Sequence, residues 1–568
     1  MKLFFHITAL LMICMLCSPL ESRSQSLPVG TPVLEDALRR AQLLGEIDST
    51  ISFTSRPLFP TISMKMANTF DPYVSLDKER WSKYDGTLRF ANNKGIIKLL
   101  PFTWQQQFSS HHPYSLNDGA MIPVKGYQTL ISGGFYAQYG PLSIQLRPEY
   151  VFAANQNFPG FYKEQSDYVW LGYYTLHNAI DLPERFGESA YEKLFWGQSS
   201  ARLTFGPVSI GISNENLWWG PGVRNSLMMS NSAPGFKHIT FNTVKPIQTW
   251  IGSFEGQIIC GRLENSGFAP PDTNRTYNEV KLYVPKRTDW RYINATVISY
   301  QPKWVPGLFL GVTRSFITYY KDMGKNLNDF LPVITPLSKK ANYGEKESPR
   351  PNDQRASFFL RYLWKKAHAE LYTEYLREDH AFDLRDFIVQ AEYSHAYTFG
   401  IRKLIPLKVQ KDQFIQINLE ITQIEQKSQD PGRPSHYIYA HFAGISQGYT
   451  NRGQLLGAGI GSGSNMQSLS ISWVKRLKSI GIEFERLVQN NDLHLAVIKD
   501  PRAIWVDLGT SAFGEWDYKN LLFSARLEFI KSLNYQHFYR PISEDLSALW
   551  KPRNIINFQA NIGVSYRF

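Results

Sequence analysis

The C-terminal stretch Asn554–Phe568, NIINFQANIGVSYRF, constrains the fold of this chain more than any other. Every second residue from Ile556 is apolar: Ile556, Phe558, Ala560, Ile562, Val564, Tyr566 and Phe568. Those between them, Asn557, Gln559, Asn561, Gly563, Ser565 and Arg567, are polar or small. Side chains alternate across a strand, so the stretch predicts a β-strand with one oily face and one wet face. Its length suits a tilted membrane-spanning strand, which needs roughly 9–11 residues. A half-buried strand of a soluble sandwich has the same period, so the rest of the chain must decide.

From about Gly95 the period switches to two. The clearest hairpin runs from Leu130 to Phe152 and turns at Gly140-Pro141. On its second arm Leu142, Ile144, Leu146, Tyr150 and Phe152 are expected to face lipid, with Ser143, Gln145, Arg147 and Glu149 inward. A second hairpin repeats the aromatic-Gly-Pro-apolar-Ser-Ile pattern at Phe205–Ile210. Further strands are expected at Phe254–Leu263, Tyr292–Tyr300, Leu308–Phe316, Phe358–Trp364, Ala369–Tyr375, Phe387–Thr398 and Ile415–Thr422. Others follow at Leu455–Gly461, Leu469–Val474, Ile480–Phe484, Ile504–Leu508 and Leu521–Phe529. Serial hairpins of this kind predict an all-β fold: a transmembrane antiparallel β-barrel of roughly 16–20 strands, even in number. The aromatic fraction of 14% suits the girdles that such barrels place at both membrane interfaces. The aromatic-rich end with its terminal Phe568 resembles the C-terminal signature of outer-membrane barrels, which implies recognition by the barrel assembly machinery.

The first residues read as an export signal: Lys2, an apolar core from Leu3 to Cys17, and Ser22-Arg23-Ser24 as a cleavage site. Residues 1–24 are therefore expected to be a signal peptide. Ile13 and Leu16 precede Cys14 and Cys17 where a lipoprotein needs a small residue, so lipid anchoring is rejected. Residues 25–60 are expected to form a periplasmic helical segment, with the barrel occupying 61–568. Pro32 stands at a helix start, and Val33, Leu34, Ala37, Leu38, Ala41 and Leu44 recur at helical spacing before Gly45. This helix would sit in the periplasm or plug the barrel's lower mouth. A second helical patch at Ser75–Tyr84 and a short helix at Pro183–Phe195 are also expected.

After the signal, no run of 18 apolar residues exists to make a membrane-spanning helix. A mean hydropathy of −0.30 is compatible with a barrel, which puts only alternate residues on lipid. Cys260 alone remains after the signal, which excludes a disulfide framework and a thiolate zinc cluster. No metal site or cofactor is expected, and His111-His112 reads as a solvated loop. The net charge of +12 forms no phosphate-binding cluster, so nucleic acid is not a partner. Acidic polysaccharide or lipopolysaccharide in the outer membrane is the expected counter-charge. Inward-facing Arg147, Glu149, Arg202, Glu370, Glu374, Glu420, Glu483, Glu485, Arg526 and Glu528 read as luminal charges that pair with one another rather than as acid–base catalysts.

One loop carries distinctive chemistry. Residues 213–236 read SNENLWWGPGVRNSLMMSNSAPGF. Asn214, Glu215 and Asn216 offer amides and a carboxylate, Trp218 and Trp219 offer flat faces, and Gly220-Pro221-Gly222 forces a reversal. Amides and carboxylates hydrogen-bond sugar hydroxyls, and indoles stack on pyranose rings. The two tryptophans could equally belong to an interfacial aromatic belt.

This loop resembles the capsule assembly Wzi family of Gram-negative outer membranes. The similarity extends to LPVGTPVLEDALRRAQLLG (Leu27–Gly45), LPERFG (Leu182–Gly187) and GQSS (Gly197–Ser200). The resemblance implies a barrel of about eighteen strands with small helices at its periplasmic end and a filled lumen. It also implies a non-enzymatic lectin that holds capsular or extracellular polysaccharide on the cell surface. Asn214, Glu215, Asn216, Trp218, Trp219, Arg224 and Asn231 are the candidate carbohydrate-binding residues. The alternative is an outer-membrane channel for solutes. An outer-membrane hydrolase, which needs a nucleophile beside a positioned base, is the least supported reading, and no H-E-x-x-H occurs.

Overall fold

The computed structural model describes residues 24–73, 86–92, 94–334, 352–378, 384–389, 391, 393–408, 412–426, 437–441, 444–541 and 550–568. The signal segment before Ser24 and the patch expected to be helical at Ser75–Tyr84 lie outside these residues.

Eighteen antiparallel strands close into one barrel. The first six are β1 (Gly95–Ser109), β2 (Gly126–Tyr139), β3 (Leu142–Leu146 and Glu149–Ala153), β4 (Tyr191–Phe195 and Ser200–Phe205), β5 (Val208–Ser213) and β6 (His238–Thr243). Next come β7 (Gly252–Leu263), β8 (Arg291–Pro302), β9 (Leu308–Tyr319), β10 (Asp353–Trp364), β11 (Ala369–Glu378) and β12 (His395–Pro406). The last are β13 (Phe414–Gln423), β14 (Asn465–Lys475), β15 (Lys478–Val488), β16 (Val506–Tyr518), β17 (Leu521–Leu533) and β18 (Ile555–Tyr566). β18 pairs with β17 on one side and β1 on the other, where Tyr566 stands opposite Phe102. That pairing leaves no open edge.

Alternation decides the two faces. On β18, Ile556, Phe558 and Ile562 are exposed outside while Asn557 and Gln559 are buried inside. On β3, Leu142 and Ile144 point out, and Ser143, Gln145, Arg147 and Glu149 point in, as expected. Connections sort into two ends. Tight turns such as Gly140-Pro141 and Gly206-Pro207 lie at one end and the long loops at the other.

Helix α1 (Pro32–Leu44) lies inside the barrel at the short-turn end. Leu34, Ala37 and Leu38 pack with Phe53 and Leu58 against luminal Leu100, Tyr136, Leu477 and Leu522. Leu43 meets Phe309, Leu363 and Leu404. Gly45, at φ 79°, ends the helix in the left-handed conformation that glycine adopts without penalty. The helix's polar residues are tied to the wall: Arg39 pairs with Glu370 at 2.7 Å and Asp36 with Arg402 at 2.7 Å.

Four expectations are corrected. Pro183–Phe195 is not helical: its last part, Tyr191–Phe195, pairs with β3. The helix of that loop is instead α2 (Asp167–His177), started by Ser166, whose hydroxyl accepts the Val169 N–H. Its sequence, DYVWLGYYTLH, is apolar nearly all round, so no 3.6-residue period marks it. Strand β12 begins at His395, later than Phe387, and Leu384–Val389 forms a short helix. Leu455–Gly461 is not a wall strand but a luminal segment with Leu455, Leu456, Ala458 and Ile460 buried in the interior core. Finally, His112 is not solvated: it is buried with its ring 4.5 Å from that of Tyr535.

Candidate functional site

The loop between β5 and β6 turns into the lumen rather than out over the rim. Trp219, Leu227, Met228 and Met229 form a core there with Tyr439, Tyr449, Leu455 and Leu456 from the β13–β14 connection. Wall residues Ile259, Ile293, Val297 and Ile317 complete it. The barrel is thus filled from both ends, by α1 at the turn end and by two long connections at the loop end.

Wall carboxylates hold this loop through its backbone. Glu420 on β13 accepts the N–H groups of Val223 (2.8 Å), Arg224 (3.0 Å) and Asn225 (2.7 Å). It also accepts the Tyr372 hydroxyl at 2.7 Å. Glu374 on β11 accepts the Leu227 N–H at 3.2 Å and the Ser357 hydroxyl at 2.8 Å. As inward-facing charges, these carboxylates are expected to pair with other luminal charges. They serve backbone amides instead, which no residue pattern announces. Gly220, at φ 113°, leaves room for Glu374, whose Oε2 would stand 2.6 Å from any Cβ there.

The seven candidate residues divide by what their side chains touch. Glu215 is buried and pairs with Arg202 at 2.6 Å, with further bonds from Ser26 and Ser213. Burial alone would raise its carboxyl, but Arg202 and the hydroxyls hold it below the usual range. Asn214 donates to the Gly197 and Gly235 carbonyls, and Asn216 donates to Asn231 Oδ1 (2.6 Å) and the Ala233 carbonyl (2.9 Å). Trp219 is sealed in the core, its indole N–H on Gln257 at 3.0 Å. These four brace the loop.

Trp218, Arg224 and Asn231 instead border a cavity of about 500 Å³ between the loop, α1 and the wall. Trp218 is buried beside it, with the Arg56 guanidinium 5.1 Å from its ring. Arg224 reaches Glu485 at 2.5 Å and Glu483 at 3.7 Å. Burial opposes its charge, but the carboxylates Glu485, Glu483 and Glu528 outweigh that and push its pKa above the ordinary arginine range. Arg526 joins the cluster on Glu483 at 2.6 Å, which makes Glu483 an ion-pair partner, as expected. Asn231 donates to the Asn117 carbonyl at 2.8 Å. Near it Asp118, raised by burial, accepts the Ser115 hydroxyl at 2.7 Å.

The remaining lining is rich in amides and hydroxyls, including Gln105, Gln106, Gln416, Asn418, Ser470 and Ser472. Such a surface can hydrogen-bond hydroxyl-bearing ligands. Among the described residues no cluster of His, Cys, Asp and Glu has the geometry to hold a metal ion. Gly444–Gly448, GISQG, matches a nucleophile-elbow spacing. Ser446 lies in a loop rather than between strand and helix, and its hydroxyl meets Tyr319 at 3.1 Å.

The family model for capsule assembly protein Wzi matches residues 121–536. Among solved structures, the chain is similar to Wzi of Escherichia coli, an outer-membrane, carbohydrate-binding β-barrel involved in group 1 capsule assembly. The two share 12% identity over 96% of this chain and 99% of that one, with a TM-score of 0.57. At that identity the likeness is one of fold. OccK7 of Pseudomonas aeruginosa aligns at 9% identity, over 84% and 99% of the two chains, with a TM-score of 0.37. Comparison with curated protein sequences finds no match.

Proposed function

The chain belongs to the capsule assembly protein Wzi family, and we propose that it sits in the outer membrane and retains capsular or extracellular polysaccharide there as a non-enzymatic lectin. The observation that carries this reading is the cavity beside the family-like loop. Trp218, Arg224 and Asn231 meet an amide- and hydroxyl-rich wall in a space of about 500 Å³. Flat indole, guanidinium and amide groups are the chemistry that holds sugars, and repeated weak contacts along a polymer multiply into firm retention. A lumen filled by α1 and the two inward connections favours binding over free solute passage. Exposed outward residues such as Phe484, Phe529 and Phe558 support a lipid-facing wall, with lipopolysaccharide as its outer-leaflet neighbour. Assembly through the C-terminal Phe568 by the barrel assembly machinery belongs to the same proposal.

Deleting the gene should move polysaccharide from the cell-bound fraction into the medium, and the wild-type chain should restore it. Unchanged partition in the deletion strain would overturn the reading.

A further inference from the structure

The cavity has a second side, away from the family-like loop, built by neighbouring strands in strict register. Arg402, Asn418, Ser470 and Glu483 stand side by side on β12, β13, β14 and β15. One row toward the turn end, Gln416, Ser472, Gly481 and Phe513 stand side by side on β13, β14, β15 and β16. All but Gly481 line the cavity, together with Asp36 from α1.

Their hydrogen bonds run in one chain. Asp36 holds Arg402 at 2.7 Å, Arg402 Nε donates to Asn418 Oδ1 at 2.9 Å, and Asn418 Nδ2 donates to the Ser470 hydroxyl at 3.1 Å. The chain leaves two groups over. Among the described residues, Arg402 Nη1 and Gln416 Oε1 have no partner, although both residues are more than nine-tenths buried. A buried donor and acceptor left unmatched are costly, so a site that keeps both is matched to something else.

Phe513 adds an apolar face. Its inward neighbours on β16, Ser511 and Glu515, are polar, as a lumen requires, and Phe513 breaks that pattern. A Cβ at Gly481 would meet the Phe513 ring at 2.7 Å and Ser472 Cβ at 2.5 Å. The glycine therefore lets the ring lie across β15 toward Ser472.

Building on the proposed glycan role, we infer that this side of the cavity is a subsite for a neutral pyranose residue of the retained polysaccharide. A sugar hydroxyl both donates and accepts, so one hydroxyl or a vicinal pair satisfies Gln416 Oε1 and Arg402 Nη1 together. A uronate carboxylate accepts only. It would satisfy the arginine but face the Gln416 carbonyl oxygen and the Asp36 carboxylate, so acidic residues are disfavoured. The C–H face of the ring packs on Phe513. From Gln416 to Phe513 is three strand spacings of about 4.8 Å, room for roughly one to two sugar rings.

The test uses the purified full-length barrel in detergent micelles. The probes are oligosaccharides released by partial acid hydrolysis of the producing cells' own surface polysaccharide, separated into neutral and uronate-containing pools. Saturation-transfer NMR should show the neutral pool bound. Gln416→Met, which keeps volume but loses the acceptor, and Phe513→Ala should each weaken binding at least fivefold, while both variants migrate as folded barrels. Preference for the uronate pool, no binding of the neutral pool, or unchanged binding by both variants would overturn the subsite. Cell-bound polysaccharide separates this from the wider role. If the deletion strain loses it but both variants keep it in full, the subsite fails and the retention function stands. If the deletion strain keeps it, the retention function itself fails.

Discussion

Arg224, in the loop that fills the lumen, reaches the wall carboxylate of Glu485 at 2.5 Å, and the wall side chain is fully shielded from solvent. Neither residue is near the other in sequence, and the pair fixes where the loop meets the β15 side of the cavity. Replacing Arg224 by Met removes one of the two cations that face Glu483 and Glu485 and leaves Arg526 alone with these and Glu528. Breaking a buried pair from one side costs about 3–5 kcal/mol. The variant should unfold at lower temperature in a heat-modifiability gel, and Arg224→Met with Glu485→Gln should recover part of the loss.

Glu420→Ala should loosen the loop without touching its sequence. The change strips three backbone N–H groups of their acceptor, at about 1–3 kcal/mol for each one left buried and unpaired. In planar bilayers the wild-type barrel should be nearly silent and the variant should open in discrete steps. Equal conductance for the two would show that Glu420 does not hold the lumen closed.

The adjacent tryptophans should behave differently. Trp219 lies wholly in the core, and Trp219→Ala opens a cavity costing about 3–5 kcal/mol, read as lower barrel yield and thermal stability. Trp218 borders the cavity. Trp218→Ala should lower cell-bound polysaccharide severalfold at matched barrel abundance. Equal effects of the two on retention per folded barrel would remove Trp218 from the site.

Helix α2 should loosen in acid. His177 is half-buried, with its ring 4.1 Å from that of Tyr173. Burial, and next the Lys286 ammonium, lower its pKa from 6.5 to about 3. The folded helix therefore binds fewer protons than the unfolded chain between those values. Its stability is complete above about pH 6.5 and falls as pH drops toward 3. Amide protection factors across Asp167–His177 should decline from pH 7 to pH 4.5 in the wild type, and His177→Phe should flatten that decline.

Much of the wall could be read in advance because a barrel strand answers to one local rule. Phe414–Gln423 and Leu469–Val474 alternate with period two, and their faces in the structure follow that alternation. The rule misleads where both faces are buried. Leu455–Gly461 has a strand-like apolar run, yet it folds into the luminal core, where the alternation has no lipid to answer to. It also fails for α2, where Trp170, Tyr173 and Tyr174 all pack into one aromatic core although they follow no strand-like alternation. The site was legible as a loop of unusual composition. Seven residues were marked in it, and the fold sets four of them, Asn214, Glu215, Asn216 and Trp219, as braces.

Sequence alone determined that strands would alternate, turn sharply at Gly-Pro pairs and end on an aromatic residue, because each of those properties depends on immediate chain neighbours. Tertiary structure alone decided that α1 and the Trp-Trp loop would enter the lumen. It also brought Arg402, Gln416 and Phe513 to one wall although almost a hundred residues separate the last two. Closure of the barrel creates that proximity: inward side chains of successive strands share a face only once hydrogen bonding between the strands has set their register.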